Sequence, residues 1–483
     1  MKKIILALSC LSLVVLCSCT NSHLNEPTWS DDVKAATNTF IDEYGCKSPK
    51  YEQNSYVVFD FDNTTSINDI CNTTVFYQLM HMAFNVTPTN RPSDIKSGLK
   101  LNDPKYDDYT DDIAKSYTYL YNTYGPFNSQ GVKDSDLDRL HADPQWQEFC
   151  GKYLSFMDYI SEHESKEIDY VWVGYSCYNM TKDEEFNLAK KALETYSKVE
   201  SYVYAIETPS SISSKIGSVK TSMDVGVSVT PNIKELMREL NNNGIDVWIN
   251  SASPIEIVRA AVEVFDLKDS VSGFLGITYK YDNAGRMCDQ FDVDSGPGYI
   301  KDNGNFVPNS YPIKTVTEGK GKVNAIKNSI YPIYNKWPLA GFMDNSGDFN
   351  FCTEFDSLKL VICFNLANRD VNNGAGLIAE LAVYQKENLH YDLKSANAAG
   401  DTLYVLQGRD ENGMRSFRNS NSTIKLEKSE EKLFKGDKNY AQLAYMRDNN
   451  MTTADILNRL SIKNSNGWGF LDSYDGYHNI KTQ

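Results

Sequence analysis

Asp60 and Asp62, one residue apart, close the apolar run Tyr56-Val57-Val58-Phe59 and lead into Asn63-Thr64-Thr65. Such a run reads as a buried strand, and beyond its end the turning chain can aim both carboxylates into one pocket. Two carboxylates in one place repel unless a cation lies between them, commonly a divalent metal. The carboxyl end of a parallel strand is also where open α/β sheets place their ligands. The stretch therefore proposes a metal-assisted carboxylate site. An Asx-type turn after a strand accounts for the same residues without chemistry.

Three later segments offer polar groups of matching kind. Ser251 stops the apolar run Ile245 to Asn250, just before Ser253-Pro254, where Ser253 is the better candidate for a helix cap. Lys320 opens a helix in Gly319-Lys320-Gly321-Lys322-Val323, a stretch crowded with lysines in which Lys322 is the rival. Asp344 ends the run Leu339 to Met343, and Asp348 lies four residues on. Each has a bland reading as a cap, a solvated lysine or a turn residue. The histidines are scattered, with no HExxH and no Cys/His cluster of zinc-site spacing.

The elements that must position these groups follow from periodicity. Pro231 to Asn243 puts Ile233, Leu236, Met237 and Leu240 on one helical face, and Gly244 ends it. A helix over Ile255 to Phe265 follows the second strand, a hairpin is expected from Phe274 with its turn at Asn283 to Arg286, and a helix runs from Lys320 to Ser329. Leu358 to Phe364 is a further strand. Strands alternating with helices predict an α/β fold with a doubly wound parallel sheet. Between the first and second strands lies a long tyrosine-rich segment with helical stretches at Ile70 to Phe84, Asp112 to Tyr121, Gln145 to Glu162 and Thr181 to Val199. Thr181 is expected to cap the last. After about Asn372 come a helix-like Leu377 to Gln385, a strand-like Thr402 to Gln407 and a helix-like Thr453 to Leu460.

The chain has 483 residues, enough for two or more domains, and a net charge of −16 that argues against nucleic acid as a partner. A small phosphate ester is compatible with it, because one local cationic pocket can oppose the global field. Met-Lys-Lys followed by the apolar run Ile4 to Cys17 reads as a secretory signal too short to span a membrane. Seven cysteines after Cys19 leave room for one to three disulfides in an exported protein.

Taken in order, the four segments resemble the haloacid dehalogenase superfamily. Asp60-Phe61-Asp62-Asn63-Thr64 matches its DxDx[TV] motif; Val247-Trp248-Ile249-Asn250-Ser251 matches the strand ending in Ser or Thr, with polar Asn250 as a departure. Gly319 to Val323 resembles the lysine motif of the phosphoserine phosphatase branch, and Asp344-Asn345-Ser346-Gly347-Asp348 the acidic fourth motif, with Met343 where a glycine is usual. The resemblance implies a Rossmann-like core over 55–66 and 230–370 and a type-one cap over 67–229; residues 371–483 read as a C-terminal extension packed on that core. It implies Asp60 as nucleophile, Asp62 as general acid and base, and Lys320 as the cation beside Asp60. Ser251, Thr64 and Lys320 are the phosphate holders it implies, and Asp60, Asp62 (through its carbonyl), Asp344 and Asp348 the ligands of Mg²⁺. The second acid, Asp62, favours phosphatase over dehalogenase.

Within that superfamily, Asp60 to Thr65, Met180 to Glu184, Thr230-Pro231-Asn232 and Leu406 to Asn412 resemble secreted phosphorylcholine phosphatases. The likeness implies an amine-bearing phosphomonoester. The Tyr-rich, acidic segment suits its ammonium, by cation–π contact plus a carboxylate, and Asp69 is the acid of that segment nearest the first motif. Phosphoserine or a broad set of esters is the alternative substrate, and a non-catalytic phosphate- or choline-binding lipoprotein the alternative class. Leu16-Cys17-Ser18-Cys19 resembles the lipobox of bacterial lipoproteins, with cleavage after residue 18, lipid on Cys19, and 19–54 as tether and N-terminal segment, polar from Thr20 to about Asp31. An exported protein anchored in a bacterial cell envelope is the expected setting.

Overall fold

The computed structural model describes residues 23–89, 104–164, 169, 174–366, 374–413, 417–424, 426, 430–431 and 441–461. The signal segment and Cys19 lie outside them. The strands, in chain order, are β1 (Ser55–Phe59), β2 (Tyr202–Glu207), β3 (Lys220–Val225), β4 (Ile245–Pro254), β5 (Gly273–Ile277), β6 (Tyr279–Tyr281) and β7 (Met287–Phe291). They continue with β8 (Pro297–Asp302), β9 (Asn305–Pro312), β10 (Ala340–Met343), β11 (Leu360–Phe364), β12 (Leu403–Arg409) and β13 (Phe417–Arg418).

A nine-stranded sheet in the order β13-β12-β11-β10-β1-β4-β5-β8-β9 forms the centre. Its strands from β12 through β5 are parallel, and antiparallel β13, β8 and β9 extend its two edges. The fold is α/β, as the alternation of strands and helices predicts. Strands β1, β5, β10, β11 and β12 are buried at every residue, as a sheet covered on both faces requires.

Chain order and spatial order part at β1. From it the chain steps one way to β4 and β5, and later returns on the other side through β10, β11 and β12. Where order reverses, the connections leave a crevice beyond the carboxyl ends of the strands. Register aims the tips into it. Phe59 lies opposite both Phe342 and Ile249. Asp60 therefore emerges level with the ends of β10 and β4, and its N–H donates to the Phe342 carbonyl at 3.1 Å.

The segment between β1 and β4 rises over this crevice. Its helices Ile70–His81, Pro104–Tyr124, Asp134–His141, Pro144–His163 and Lys182–Tyr196 pack with the hairpin β2–β3. Thr181 caps the last of them in a full capping box with Glu184. Entry and exit of the segment are tied together: Ile67 and Ser228 exchange backbone hydrogen bonds at 2.8 and 3.3 Å.

The chain's two ends are less separate from the core than the sequence suggests. Residues 403–409 lie in the sheet as β12, so a boundary at 370 cuts through the core. The polar stretch expected as a tether is packed from Leu24 onward; Leu24 and Trp29 are buried and the Trp29 indole donates to Glu235. Cys46 is disulfide-bonded, and Cys71, Cys150, Cys177, Cys288, Cys352 and Cys363 are in no disulfide. Among the described residues no helix is long and apolar enough to cross a membrane.

Candidate active site

Four loops at the strand tips bring the charged groups together. One carboxylate oxygen each from Asp60, Asp344 and Asp348 lie within 4.8 Å of one another, all three side chains buried. The Lys322 ammonium sits in the same cluster, 2.6 Å from Asp60 Oδ1 and 2.5 Å from Asp348 Oδ1. One cation among three buried carboxylates leaves uncompensated negative charge, which buried sites tolerate only with a further cation or a proton. The Asp348 carboxyl is pushed well up from its ordinary range, by burial first and then by Asp60. Lys322 is pushed up by Asp348 and Asp60, which outweigh the burial that opposes them. An all-oxygen donor set of this kind suits a hard divalent cation.

Lys320 stands elsewhere. Its ammonium pairs with Glu354 on the outer side of the helix Lys320–Ala325. Gly319 and Gly321 set up the lysine that does reach Asp60. Gly319 has φ +51° and donates to the Gly347 carbonyl at 2.9 Å, tying this loop to the one carrying Asp344 and Asp348. A Cβ on Gly321 would lie 1.8 Å from the Val316 carbonyl oxygen, so only glycine lets the helix start there. Asn250, the polar departure from the second motif, is fully buried and donates to the Lys322 carbonyl at 2.9 Å. A polar side chain inside an apolar strand here holds the lysine's backbone.

Asp62 occupies the other side of the pocket. Its Oδ1 accepts from the Ile70 N–H at 2.8 Å; its Oδ2 accepts from Ser253 Oγ at 2.7 Å and from Ser251 Oγ at 3.3 Å. The carboxyl is pushed well above its ordinary value, by burial and then by Asp69 and Asp60. Ser253 is thus a pocket residue and not the helix cap its sequence context suggests; the helix Ile255–Val264 starts after Pro254 with no side-chain cap. Ser251 points at Asp62 and accepts the Ser253 N–H at 3.0 Å. Thr64 donates to Asp344 Oδ1 at 3.2 Å, holding a carboxylate where the resemblance implies a phosphate contact.

The cavity in front of these groups measures about 260 Å³ and is lined by Asp60, Asp62, Asn63, Asp69, Cys71, Asn72, Ala252, Ser253, Glu318, Lys322, Asn345 and Ser346. Glu318 is the lining acid the motifs do not mark. Its carboxylate lies over Gly347, where a Cβ would come within 2.6 Å of it. Asp69 caps the helix Ile70–His81 through the Asn72 N–H, and burial leads the effects that raise its carboxyl to about 6.

Asn63, Asp69 and Asn72 also line a second cavity of about 510 Å³ that reaches under the cap. Asp158, Asp169, Asp224 and Glu411 contribute acids to its wall, and among the described residues no lysine or arginine lines it. Among the described residues, no cap tyrosine lines either cavity. Those rings pack on one another, as Tyr109 on Phe156 at 5.1 Å and Tyr117 on Phe149 at 5.6 Å.

No protein-family model and no curated protein matches the chain. Among solved structures it is similar to a conserved protein of unknown function from Anaerococcus prevotii DSM 20548, at 24% identity and a TM-score of 0.63 over 84% of this chain and 99% of that one. A phosphoserine phosphohydrolase-like protein from Francisella tularensis subsp. tularensis SCHU S4 aligns at 12% identity and a TM-score of 0.28, over 64% of this chain and 87% of that one. Cytosolic 5'-nucleotidase IIIB bound to cytidine aligns at 11% identity and a TM-score of 0.28, over 69% of this chain and 78% of that one. The first likeness is one of fold, and the other two are too loose to add to it.

Proposed function

We propose that the protein is a Mg²⁺-dependent phosphatase of small phosphomonoesters that works through an aspartyl-phosphate on Asp60. The observation that carries this reading is the buried trio Asp60, Asp344 and Asp348 with Lys322 wedged between two of them at the end of a cavity. Asp60, Asp344 and Asp348 would hold the ion. When bound, Mg²⁺ supplies the positive charge that lets an anionic carboxylate approach an anionic phosphoryl group.

The remaining steps belong to side chains. An Asp60 oxygen attacks phosphorus while the ester oxygen leaves, and Asp62, whose proton burial and the charges of Asp69 and Asp60 favour, gives that oxygen its proton. Asp62 then takes a proton from a water that attacks phosphorus, which frees Asp60 and inorganic phosphate. Ser251 and Ser253 hold Asp62 in place for both transfers. Lys322 offsets the charge that gathers on Asp60 and the phosphoryl oxygens.

For the leaving group, the acid-walled second cavity favours an amine-bearing alcohol, such as choline or ethanolamine, over a sugar or nucleoside. This retains the carboxylate half of the expected ammonium site and drops the tyrosine half. Anchoring through lipid on Cys19 belongs to the same proposal; labelling with a radioactive fatty acid, lost in Cys19→Ala, is its test.

Turnover of p-nitrophenyl phosphate with Mg²⁺, its loss on chelation and its recovery on adding the ion back are the expected results. Asp60→Asn should lower kcat by about 10³-fold or more. No hydrolysis of any phosphomonoester would overturn the reading. A panel of phosphocholine, phosphoethanolamine, phosphoserine and sugar phosphates tests the leaving group: equal turnover of all of them returns the reading to a broad phosphatase.

A further inference from the structure

Arg409 ends β12 and its side chain is fully buried. Strands β11 and β10 separate β12 from β1, yet the guanidinium reaches across the strand tips and donates through Nη1 to the backbone carbonyl of Asn63. Its Nη2 donates to Glu411 Oε2 at 3.0 Å. Asn63 directly follows Asp62, lines both cavities and has φ +60°, in the left-handed region that asparagine enters more readily than other side chains.

We infer that Arg409 is a positioning residue of the reaction: by holding the Asn63 carbonyl it fixes the turn that aims Asp62 into the pocket beside Asp60. The loop's other ties are local or run to neighbouring strands: Thr65 Oγ1 donates to the Asp60 carbonyl at 2.6 Å, and the Thr64, Thr65 and Ser66 N–H groups return to Phe61. These ties fix the two flanks of Asp62. None of them takes the Asn63 carbonyl. A fixed guanidinium fork suits this place because one end can bond a carbonyl while the other is neutralised by a carboxylate. Glu411 does that here, and the Arg409 backbone N–H donates to Thr423 Oγ1 at 3.3 Å. Through Arg409 the C-terminal part of the chain takes a share in the active site. Its kinetic consequence rests on the phosphatase reading; its structural consequence does not.

The bland alternative is that Arg409 only balances Glu411. The double variant Arg409→Met/Glu411→Gln removes both charges, so no buried ion is stranded, and it deletes the bond to Asn63. Amide hydrogen exchange of the 59–66 segment should become about tenfold faster or more, the factor expected for one lost charge-assisted hydrogen bond, while β4 and β11 exchange as before. For p-nitrophenyl phosphate, kcat per folded molecule should fall by about tenfold to a hundredfold, with KM within about twofold. Unchanged exchange in 59–66 overturns the inference whatever the activity. A wild type that turns over nothing sinks the phosphatase reading and leaves the exchange result to judge Arg409. Should the double variant fail to fold, Arg409→Lys keeps a cation beside Glu411 without the fork, and the same exchange measurement decides.

Discussion

Two lysines separated by one residue point to opposite sides of a helix, because each step turns about 100°. Lys320 and Lys322 follow that rule: the first faces Glu354, the second Asp60 and Asp348. Lys322→Met should therefore lower kcat by about 10²- to 10³-fold, the scale for losing one preorganised charge at a reacting centre. Lys320→Met should stay within about twofold of wild type in the same assay; the reverse pattern would contradict the geometry. Asp62 offers a finer test. Its carboxyl is pushed upward, so the proton it must donate stays on to a higher pH than an ordinary aspartate would allow. Turnover of an alkyl phosphate should fall as pH rises through that raised value. In a single turnover, Asp62→Asn should slow release of the alcohol from an alkyl ester by about 10²- to 10⁴-fold but release of p-nitrophenol less, since that leaving group needs no proton; hydrolysis of the shared aspartyl-phosphate, where Asp62 is the base, should slow alike for both. Equal losses in the release step would remove the acid role.

At the scale of elements, the cap meets the core along the helices Lys182–Tyr196 and Ile255–Val264. Glu185 on the first and Glu256 on the second are both buried. The Tyr281 hydroxyl donates to Glu185 at 3.0 Å, the Tyr299 hydroxyl donates to Glu256 at 2.8 Å, and Arg259 pairs with Glu256 at 2.6 Å. Burial, and next the charge on Glu256, raise the Glu185 carboxyl to about 8, against the pull of Tyr281, Arg259 and Lys182. The folded chain thus holds a proton here that the unfolded chain releases near pH 4.5. Stability from this group is complete below that value and is lost as pH climbs through about 8, with a slope of at most about 1.4 kcal/mol per pH unit. Melting temperature between pH 5 and 8 should fall less steeply in Glu185→Gln than in wild type; parallel curves would show that Glu185 is not the group responsible.

Much of this scale was legible before the fold was known. Thr181 and Glu184 announce a capping box, and the helix after Thr230 shows its apolar face in the spacing of Ile233, Leu236, Met237 and Leu240. The hairpin β8–β9 was legible but unread: Asn303 and Gly304, with φ +47° and +80°, are the Asn-Gly pair of a two-residue turn. Ser253 misleads because a serine before proline has the type of a cap, while its tertiary partner, Asp62, is 191 residues away. Arg409 lies in the stretch Leu406 to Asn412, whose resemblance marks the segment but not the partner; its contact to Asn63 is one that only the sheet order creates.

Across the whole molecule, the sheet order makes the last parallel strand part of the foundation of the first. Strand β12 pairs along all of β11, from Leu360–Leu403 to Phe364–Gln407. Its Gln407 Oε1 accepts the Ser30 N–H at 2.8 Å, so the N-terminal segment is fastened to the same strand. The helix Gly374–Glu387, which leads into it, contributes buried Ile378, Ala379 and Leu381 to the core under β10 and β11. A chain ending at residue 372 would lose these groups together with Leu403, Tyr404, Val405 and Leu406, all buried. At about 1.5–3 kcal/mol for each large apolar side chain, the loss reaches or exceeds the roughly 5–15 kcal/mol by which domains are stable. It also turns β11 into an exposed, fully apolar edge, a template for pairing with other chains. The truncated protein should therefore be insoluble or lack a cooperative melt, despite retaining every acid of the pocket and Lys322. A soluble truncation with a sharp melt and phosphatase activity would mean that the sheet ends at β11 and that β12, with Arg409, is dispensable to the site.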